Sequence, residues 1–230
     1  MFEFRKAAQR GGGQQGWLET FHTFSFAHYY DPKWMGFSDL RVINDDRIAP
    51  KSGFGTHSHQ NMEIVTYMIS GELTHRDSLG NESTLTSGEL QRMSAGTGIS
   101  HSEMNHTDNP VHMLQIWIET EKKGINPDYE QKQMKDLTPG HLHLVIAPKN
   151  EDAPMSINQK ASILLGKFDQ EGGIHYVPKN GKNCWIHVIK GELTIGGETL
   201  YAHDSVGISG EHVLDLTHSE QSEFLLFDLR

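Results

Sequence analysis

Ile69-Ser70-Gly71-Glu72-Leu73-Thr74 returns 120 residues later as Ile189-Lys190-Gly191-Glu192-Leu193-Thr194, and His101-Ser102-Glu103 is echoed by His218-Ser219-Glu220 at an offset of 117. Two short matches in the same order at nearly equal offset point to an internal duplication. The residues around them define what is duplicated. Leu40 to Asn44, Glu63 to Ile69, Met113 to Ile118, Leu142 to Ile146, Ile163 to Phe168, Trp185 to Ile189, Glu192 to Ile195 and Phe224 to Leu229 are short apolar or alternating runs rich in β-branched residues, the pattern of strands. Leu79-Gly80-Asn81 and Gly196-Gly197 supply tight turns between them. One stretch reads as a helix: Asn126 is placed to cap it, Pro127 to occupy its first position, and Asp128 to Gln131 to continue it. The expected architecture is two β domains of similar topology. The boundary falls in the polar stretch between residues 120 and 140, giving domains of 1–130 and 131–230.

The chain of 230 residues is long enough to bury a core without cross-links, and its 23 glycines suit a fold with many tight turns. A net charge of −10 repels phosphate backbones and anionic lipid, so neither nucleic acid nor membrane is an expected partner. The single cysteine, Cys184, excludes an intrachain disulfide and a cysteine-rich zinc site, and in the run Cys184-Trp185-Ile186 it reads as a buried apolar side chain. No apolar stretch approaches the roughly 20 residues that span a bilayer, and Met1-Phe2-Glu3-Phe4-Arg5 lacks the apolar core of a signal peptide. A reducing, cytoplasmic setting is expected.

The 15 histidines are an unusual number, and their spacing separates a few from the rest. His57-Ser58-His59 alternates within an extended segment, so both imidazoles project from one face of a strand. His101-Ser102-Glu103 has the same spacing and delivers an imidazole and a carboxylate. Two such pairs on neighbouring strands close around one ion. The competing reading is a polar network inside a barrel, and the second pair argues against it. His141-Leu142-His143 alternates too, but no second pair follows it, and it reads as an ordinary half-exposed strand start. The remaining histidines, His22 and His75 among them, have no partner pattern and read as hydrogen-bonded structural residues. Adding 120 to His57 and His59 lands on Val177 and Lys179, so the second domain is expected to carry no metal, with His218 and Glu220 as surface or packing residues.

The pattern His57-Ser58-His59, Glu63, Gly71, Gly88, Gly96, Gly98 and His101 resembles the two motifs of the cupin superfamily. The wider stretches Phe54-Gly55-Thr56-His57-Ser58-His59, Glu63-Ile64-Val65-Thr66-Tyr67 and Met93-Ser94-Ala95-Gly96-Thr97-Gly98-Ile99-Ser100-His101-Ser102-Glu103-Met104 resemble the pirin family, over most of the chain. Ser94 stands where cupins usually have proline, and two extra residues precede His101, features that pirins share. The resemblance implies an all-β fold of two cupin-like β-barrels (double-stranded β-helix, jelly-roll) packed together, the C-terminal one degenerate. It implies His57, His59, His101 and Glu103 as metal ligands, with Glu63, at the usual cupin glutamate position, left structural or behind the ligands.

Three imidazoles and a carboxylate suit one divalent transition metal ion; Fe2+ is favoured, with Mn2+, Ni2+, Cu2+ and Zn2+ as alternatives. Such a site leaves coordination positions open for Lewis-acid or redox chemistry. The resemblance implies quercetin 2,3-dioxygenase activity, in which dioxygen is added to a flavonol, the heterocycle opens and carbon monoxide leaves. Glu103 is then ligand and general base. An aromatic substrate asks for an apolar wall. Phe54 is the aromatic expected nearest the ion, with Met93, Met104 and members of the aromatic N-terminal segment (Trp17, Phe21, Phe24, Phe26, Tyr29, Tyr30, Trp34, Phe37) as further candidates. The alternative function is a metal- or redox-sensing regulatory protein that binds a protein partner, as pirin-type transcriptional co-regulators do. A third reading makes quercetin a surrogate for another enolisable aromatic compound. A monomer is expected.

Overall fold

The computed structural model describes residues 1–134 and 136–230, which form 22 strands and one short 3-10 turn, Ala7–Gln9. The fold is all-β, with two cupin domains. By contacts the chain divides into one unit of Gly11–Gly36 and Leu40–Asp136, and another of Met1–Arg10, Phe37–Asp39 and Leu137–Arg230. This differs from a single cut near residue 130, because Phe2–Arg5 pairs with Ser205–Ser209 and so adds an edge strand to the C-terminal sheet. Among the described residues, no helix is long and apolar enough to cross a membrane.

Each unit pairs a seven-stranded sheet with a four-stranded one. In the first unit the larger sheet runs in the order Asp128–Gln133, Glu89–Ser94, Met62–Ser70, Val111–Glu119, Leu40–Ile48, Leu18–His22, Gly11–Gln15. The smaller runs Gly53–His59, Ile99–Met104, Glu72–Asp77, Glu82–Thr86. In the second unit the smaller sheet runs Gly172–Tyr176, Leu214–His218, Glu192–Ile195, Glu198–Tyr201, the same arrangement. Gly71 and Gly191, the shared glycines of the repeat, both sit at positive φ (+86° and +77°) and turn the chain from one sheet into the other. A Cβ on Gly71 meets the carbonyl of Pro110 at 2.7 Å, so the turn excludes side chains by contact as well as by dihedral.

The helix expected at Asn126–Gln131 is a strand, Asp128–Gln133, paired antiparallel with Glu89–Ser94. A tertiary contact overrides the local signal. Arg92, fully buried, reaches Asp128 Oδ2 at 2.9 Å and Glu130 Oε1 at 2.6 Å. Residues two apart share a face only on a strand. Pro127 then serves as the entry to an edge strand, where its missing N–H costs nothing. Cys184 is buried in the second unit's core with Ile186, Val188, Leu193, Leu214, Leu216 and Phe224, and burial raises its thiol pKa.

Strand register corrects part of the repeat. Thr74 faces Met104, whereas its counterpart Thr194 faces Thr217. Counting back from those two partners, Leu214 and Leu216 stand where His101 and Glu103 stand in the first unit. The echo His218-Ser219-Glu220 is therefore displaced along the strand and is not a structural equivalent. Tyr176 faces Leu214 as His57 faces His101, so the residue at the His57 position is Tyr176 and not Val177. His218 is a packing residue, 8% exposed and stacked on Phe168 at 3.8 Å, while Glu220 is exposed.

Candidate metal centre and its cavity

The strands that carry the expected ligands, Gly53–His59 and Ile99–Met104, are neighbours, with His101 directly opposite His57. Their close approach needs Gly53: a Cβ there lies 2.2 Å from the carbonyl oxygen of Glu103 and 2.7 Å from Cα of Met104. The pairing slips between His101 and Glu103, a bulge that puts Glu103 opposite Phe54. One ring nitrogen from each of His57, His59 and His101 lies within 4.8 Å of the others, close enough to hold a single ion. Ring centroids are 4.8 Å apart for His57 and His59, 4.4 Å for His57 and His101, and 5.0 Å for His59 and His101. The Glu103 carboxylate stands outside this three-histidine group. It lines the same cavity, with Gln115 Nε2 donating to its two oxygens at 3.2 and 3.4 Å.

The histidines are prepared for a cation in their protonation. His57 Nδ1 lies 2.8 Å from the carbonyl oxygen of Gly55, which only accepts, so Nδ1 carries the hydrogen and Nε2 keeps its lone pair. Burial, with His57 nearby, pushes His59 down to about 4. Burial, with His57, His59 and His75 nearby, pushes His101 down to about 3. Both rings are neutral at pH 7. His101 Nε2 is buried with no hydrogen-bond partner, an orphaned acceptor that a metal ion satisfies. The residues present therefore fit the ion that the donor set implies.

Glu103 is 2% exposed, and burial pushes its carboxyl up to about 7, opposed by Gln115. A second carboxyl shares the cavity. Asp46 is 2% exposed, accepts a hydrogen bond from Thr20 Oγ1, and is also pushed up to about 7, chiefly by burial and further by Asp45 and Glu103. Glu63 behaves differently. It is fully buried and accepts a hydrogen bond from Ser94 Oγ at 2.7 Å, while Arg92 donates to the same hydroxyl at 2.9 Å. That network occupies the strands Met62–Ser70 and Glu89–Ser94 and makes Glu63 structural.

The cavity has a volume of about 330 Å³, at the small end for a site that takes a drug-sized molecule. Phe26, Phe54, Trp117 and Leu18 form its apolar wall, and Thr20, His22, Asn44, Asp46 and Gln115 a polar strip. Trp117 approaches the histidines more closely than Phe54 does: its ring centroid is 5.0 Å from that of His59, against 6.4 Å between Phe54 and His57. Of the N-terminal aromatics, Phe26 lines the cavity and packs edge-on against Trp117, while Trp17 packs edge-on against Phe54. Phe24 and Trp34 are core residues, and Met93 belongs to the cluster of Ile64, Ala95 and Ile99. His22, read from sequence as structural, faces the cavity with Nδ1 2.8 Å from Asn44 Oδ1. Asn44 and Asp46 stand two apart on Leu40–Ile48 and so share a face, but which face turns to the cavity follows from strand pairing that the order of residues does not give.

A duplicated jelly roll with a histidine cluster beside an aromatic-walled cavity defines a bicupin with a group able to hold a metal ion. Residues 3–118 match the family described as Pirin, and residues 144–229 match the quercetinase C-terminal cupin domain. The chain is 44% identical over 231 residues to "Quercetin 2,3-dioxygenase" of Escherichia coli K12, covering 100% of this chain and 99% of that protein. It is 37% identical over 220 residues to "Pirin-like protein" of Caulobacter vibrioides, covering 95% of each. It also superposes with a TM-score of 0.95 on the crystal structure of the bacterial pirin YhhW in complex with nickel(II) from E. coli, 42% identical and covering 100% of this chain and 99% of that one. This chain belongs to the pirin family.

Proposed function

We propose that this chain is a metal-dependent dioxygenase that cleaves a flavonol such as quercetin. The observation that carries the reading is the convergence of three imidazoles, two of which, His57 and His59, line an aromatic cavity together with the buried carboxyl of Glu103. The E. coli relative named quercetin 2,3-dioxygenase, alike over its whole length, supports it. His57, His59, His101 and Glu103 hold the ion, Fe2+ by preference. A bound divalent ion supplies Lewis acidity toward a substrate hydroxyl and a redox-capable centre for dioxygen.

The chain's own residues do the rest. Phe26, Phe54 and Trp117 sandwich a planar ring and exclude water from it. Thr20, Asn44, Asp46 and Gln115 present donors and acceptors to the substrate's hydroxyl groups along one wall. Glu103 alone of the four ligands takes a proton from the reacting hydroxyl and remains an oxygen donor. Gln115 keeps its carboxyl turned into the cavity.

Incubation of metal-loaded protein with quercetin and dioxygen tests the reading. Quercetin is consumed with release of carbon monoxide, and a His57→Ala variant loses the activity. Equal consumption by the variant refutes it. Metal content as purified, followed by reactivation of the metal-free protein with Fe2+, Mn2+, Ni2+, Cu2+ or Zn2+ in turn, identifies the working ion.

A further inference from the structure

Against His101 lies a buried chain of groups, none of them lining the cavity, that the proposed reaction does not use. His101 Nδ1 is 3.5 Å from His75 Nδ1, a long contact, and His75 Nε2 is 3.1 Å from Asp77 Oδ2. The His75 and Asp77 side chains are fully buried. Asp77 is itself anchored: Oδ1 accepts from the backbone N–H of Leu79 at 2.9 Å and of Asn81 at 3.1 Å, and Oδ2 accepts from Asn81 Nδ2 at 2.9 Å. His75 lies flat against Tyr129, with centroids 4.8 Å apart and planes at 30°. The strand Glu72–Asp77 pairs directly with the ligand strand, Asp77 opposite His101 and His75 opposite Glu103.

We propose that His75 and Asp77 are positioning residues that lock His101 in the tautomer with hydrogen on Nδ1, leaving the Nε2 lone pair for the metal ion. This rests on His101 being a ligand. A carboxylate only accepts, so Asp77 fixes the hydrogen of His75 on Nε2. His75 Nδ1 is then a lone pair facing His101 Nδ1, and two nitrogens facing each other need one hydrogen between them, which His101 supplies. The opposite polarity, with hydrogen on His75 Nδ1, forces a hydrogen onto His101 Nε2, a buried atom with no acceptor near it. That arrangement strands a buried donor and removes the lone pair the ion needs. His57 reaches the same end by a different route, through the Gly55 carbonyl. Two of the three histidines thus owe their ligand form to a partner on their far side.

Asp77→Asn inverts the chain. The asparagine carbonyl takes the place of Oδ1, where the Leu79 and Asn81 N–H groups and Asn81 Nδ2, already 3.2 Å from it, still donate, and the amide NH2 then points at His75 Nε2. His75 must accept there and donate from Nδ1, and His101 becomes the Nε2–H form. Long-range 1H–15N correlation spectra of the metal-free protein read these tautomers directly, and titration with nickel(II) reads the consequence. In the wild type His101 carries hydrogen on Nδ1 and His75 on Nε2. In Asp77→Asn both reverse, and nickel(II) affinity falls by roughly 10- to 100-fold. His75→Phe keeps a ring against Tyr129 but offers no acceptor. It leaves His101 in a mixture of tautomers with a loss of roughly tenfold, and it carries the test if Asp77→Asn does not fold. Asp77→Glu, which keeps the acceptor, retains the wild-type tautomers. A wild-type His101 with hydrogen on Nε2 overturns the proposal, as do variants whose tautomers and affinity match the wild type. No turnover enters the measurement, so a protein that leaves quercetin untouched does not touch this result, and loss of the relay leaves the dioxygenase reading standing.

Discussion

Glu103 offers the sharpest test of the site, because its substitution moves two observables in opposite directions. In the metal-free protein, burial raises this carboxyl from its ordinary value of 4.5 to about 7. A group whose folded pKa is raised contributes stability that is fully present below the unfolded value, and that contribution is lost as pH rises through the folded one. Each step of one pH unit between the two values costs about 1.4 kcal/mol, so ionised Glu103 costs the metal-free fold about 3 kcal/mol at pH 8 relative to acid. Glu103→Gln keeps the shape and the hydrogen bond from Gln115 while removing the charge. Urea unfolding in the presence of a chelator at pH 5 and pH 8 measures the effect. The variant is more stable than wild type by roughly 2–3 kcal/mol at pH 8, and the gap closes to about 1 kcal/mol or less at pH 5. Asp46, which titrates in the same window and is raised in part by Glu103, titrates lower in the variant.

With metal present the sign reverses. Nickel(II) stabilises the wild type by mass action, and the variant, short of one anionic ligand, gains less. A carboxylate retained for packing alone predicts loss in both conditions. A variant no more stable than wild type at pH 8 without metal, or one with an undiminished pH slope, refutes the claim that Glu103 is a strained, function-bearing group.

The remaining expectations are simpler. His101→Ala and His59→Ala each remove one of the three converging imidazoles, and metal analysis after dialysis finds well under one equivalent bound. Trp117→Ala and Phe54→Ala open the aromatic wall, and calorimetric titration with quercetin shows affinity weakened roughly tenfold, in line with about 1 kcal/mol for an aromatic contact. Arg92→Met strips the cation from a fully buried network with Ser94 and Glu63 and costs about 3 kcal/mol in urea unfolding. Its effect on metal content is small by comparison, because none of these three residues belongs to the histidine group or lines the cavity.

The parts of the site legible in the sequence are those whose geometry follows from strand periodicity alone. His57 and His59 share a face because they are two apart, and the same rule joins His101 to Glu103. Register is a different matter. Nothing in the order of residues says that Glu72–Asp77 lies beside Ile99–Met104 with His75 opposite Glu103, so from sequence His75 reads as a lone structural histidine and nothing singles out Asp77. The cavity wall was hidden for the same reason: Trp117, Gln115, Asn44 and Asp46 reach it from two strands that pair with each other across the larger sheet. At Asp128–Gln133 the Asn126-Pro127 signal that favours a helix is local, while the contact that decides for a strand, with the buried guanidinium of Arg92, is long-range.

The duplicated half shows what stands in place of the histidine cluster in the second unit. Where the first unit has His57, His101 and Glu103, register places Tyr176, Leu214 and Leu216 in the second. Leu214 and Leu216 are buried in a continuous apolar cluster, and Tyr176 packs against it with its hydroxyl donating to Asp228 at 2.7 Å. Burying such leucines favours folding by about 1.5–3 kcal/mol each. The first unit instead buries an ionisable carboxyl at a cost of similar size and leaves a cavity beside it. The two halves are therefore alternative uses of one interior: the second fills it for stability, and the first keeps it polar and open, which is worth its cost only if an ion and a substrate occupy it.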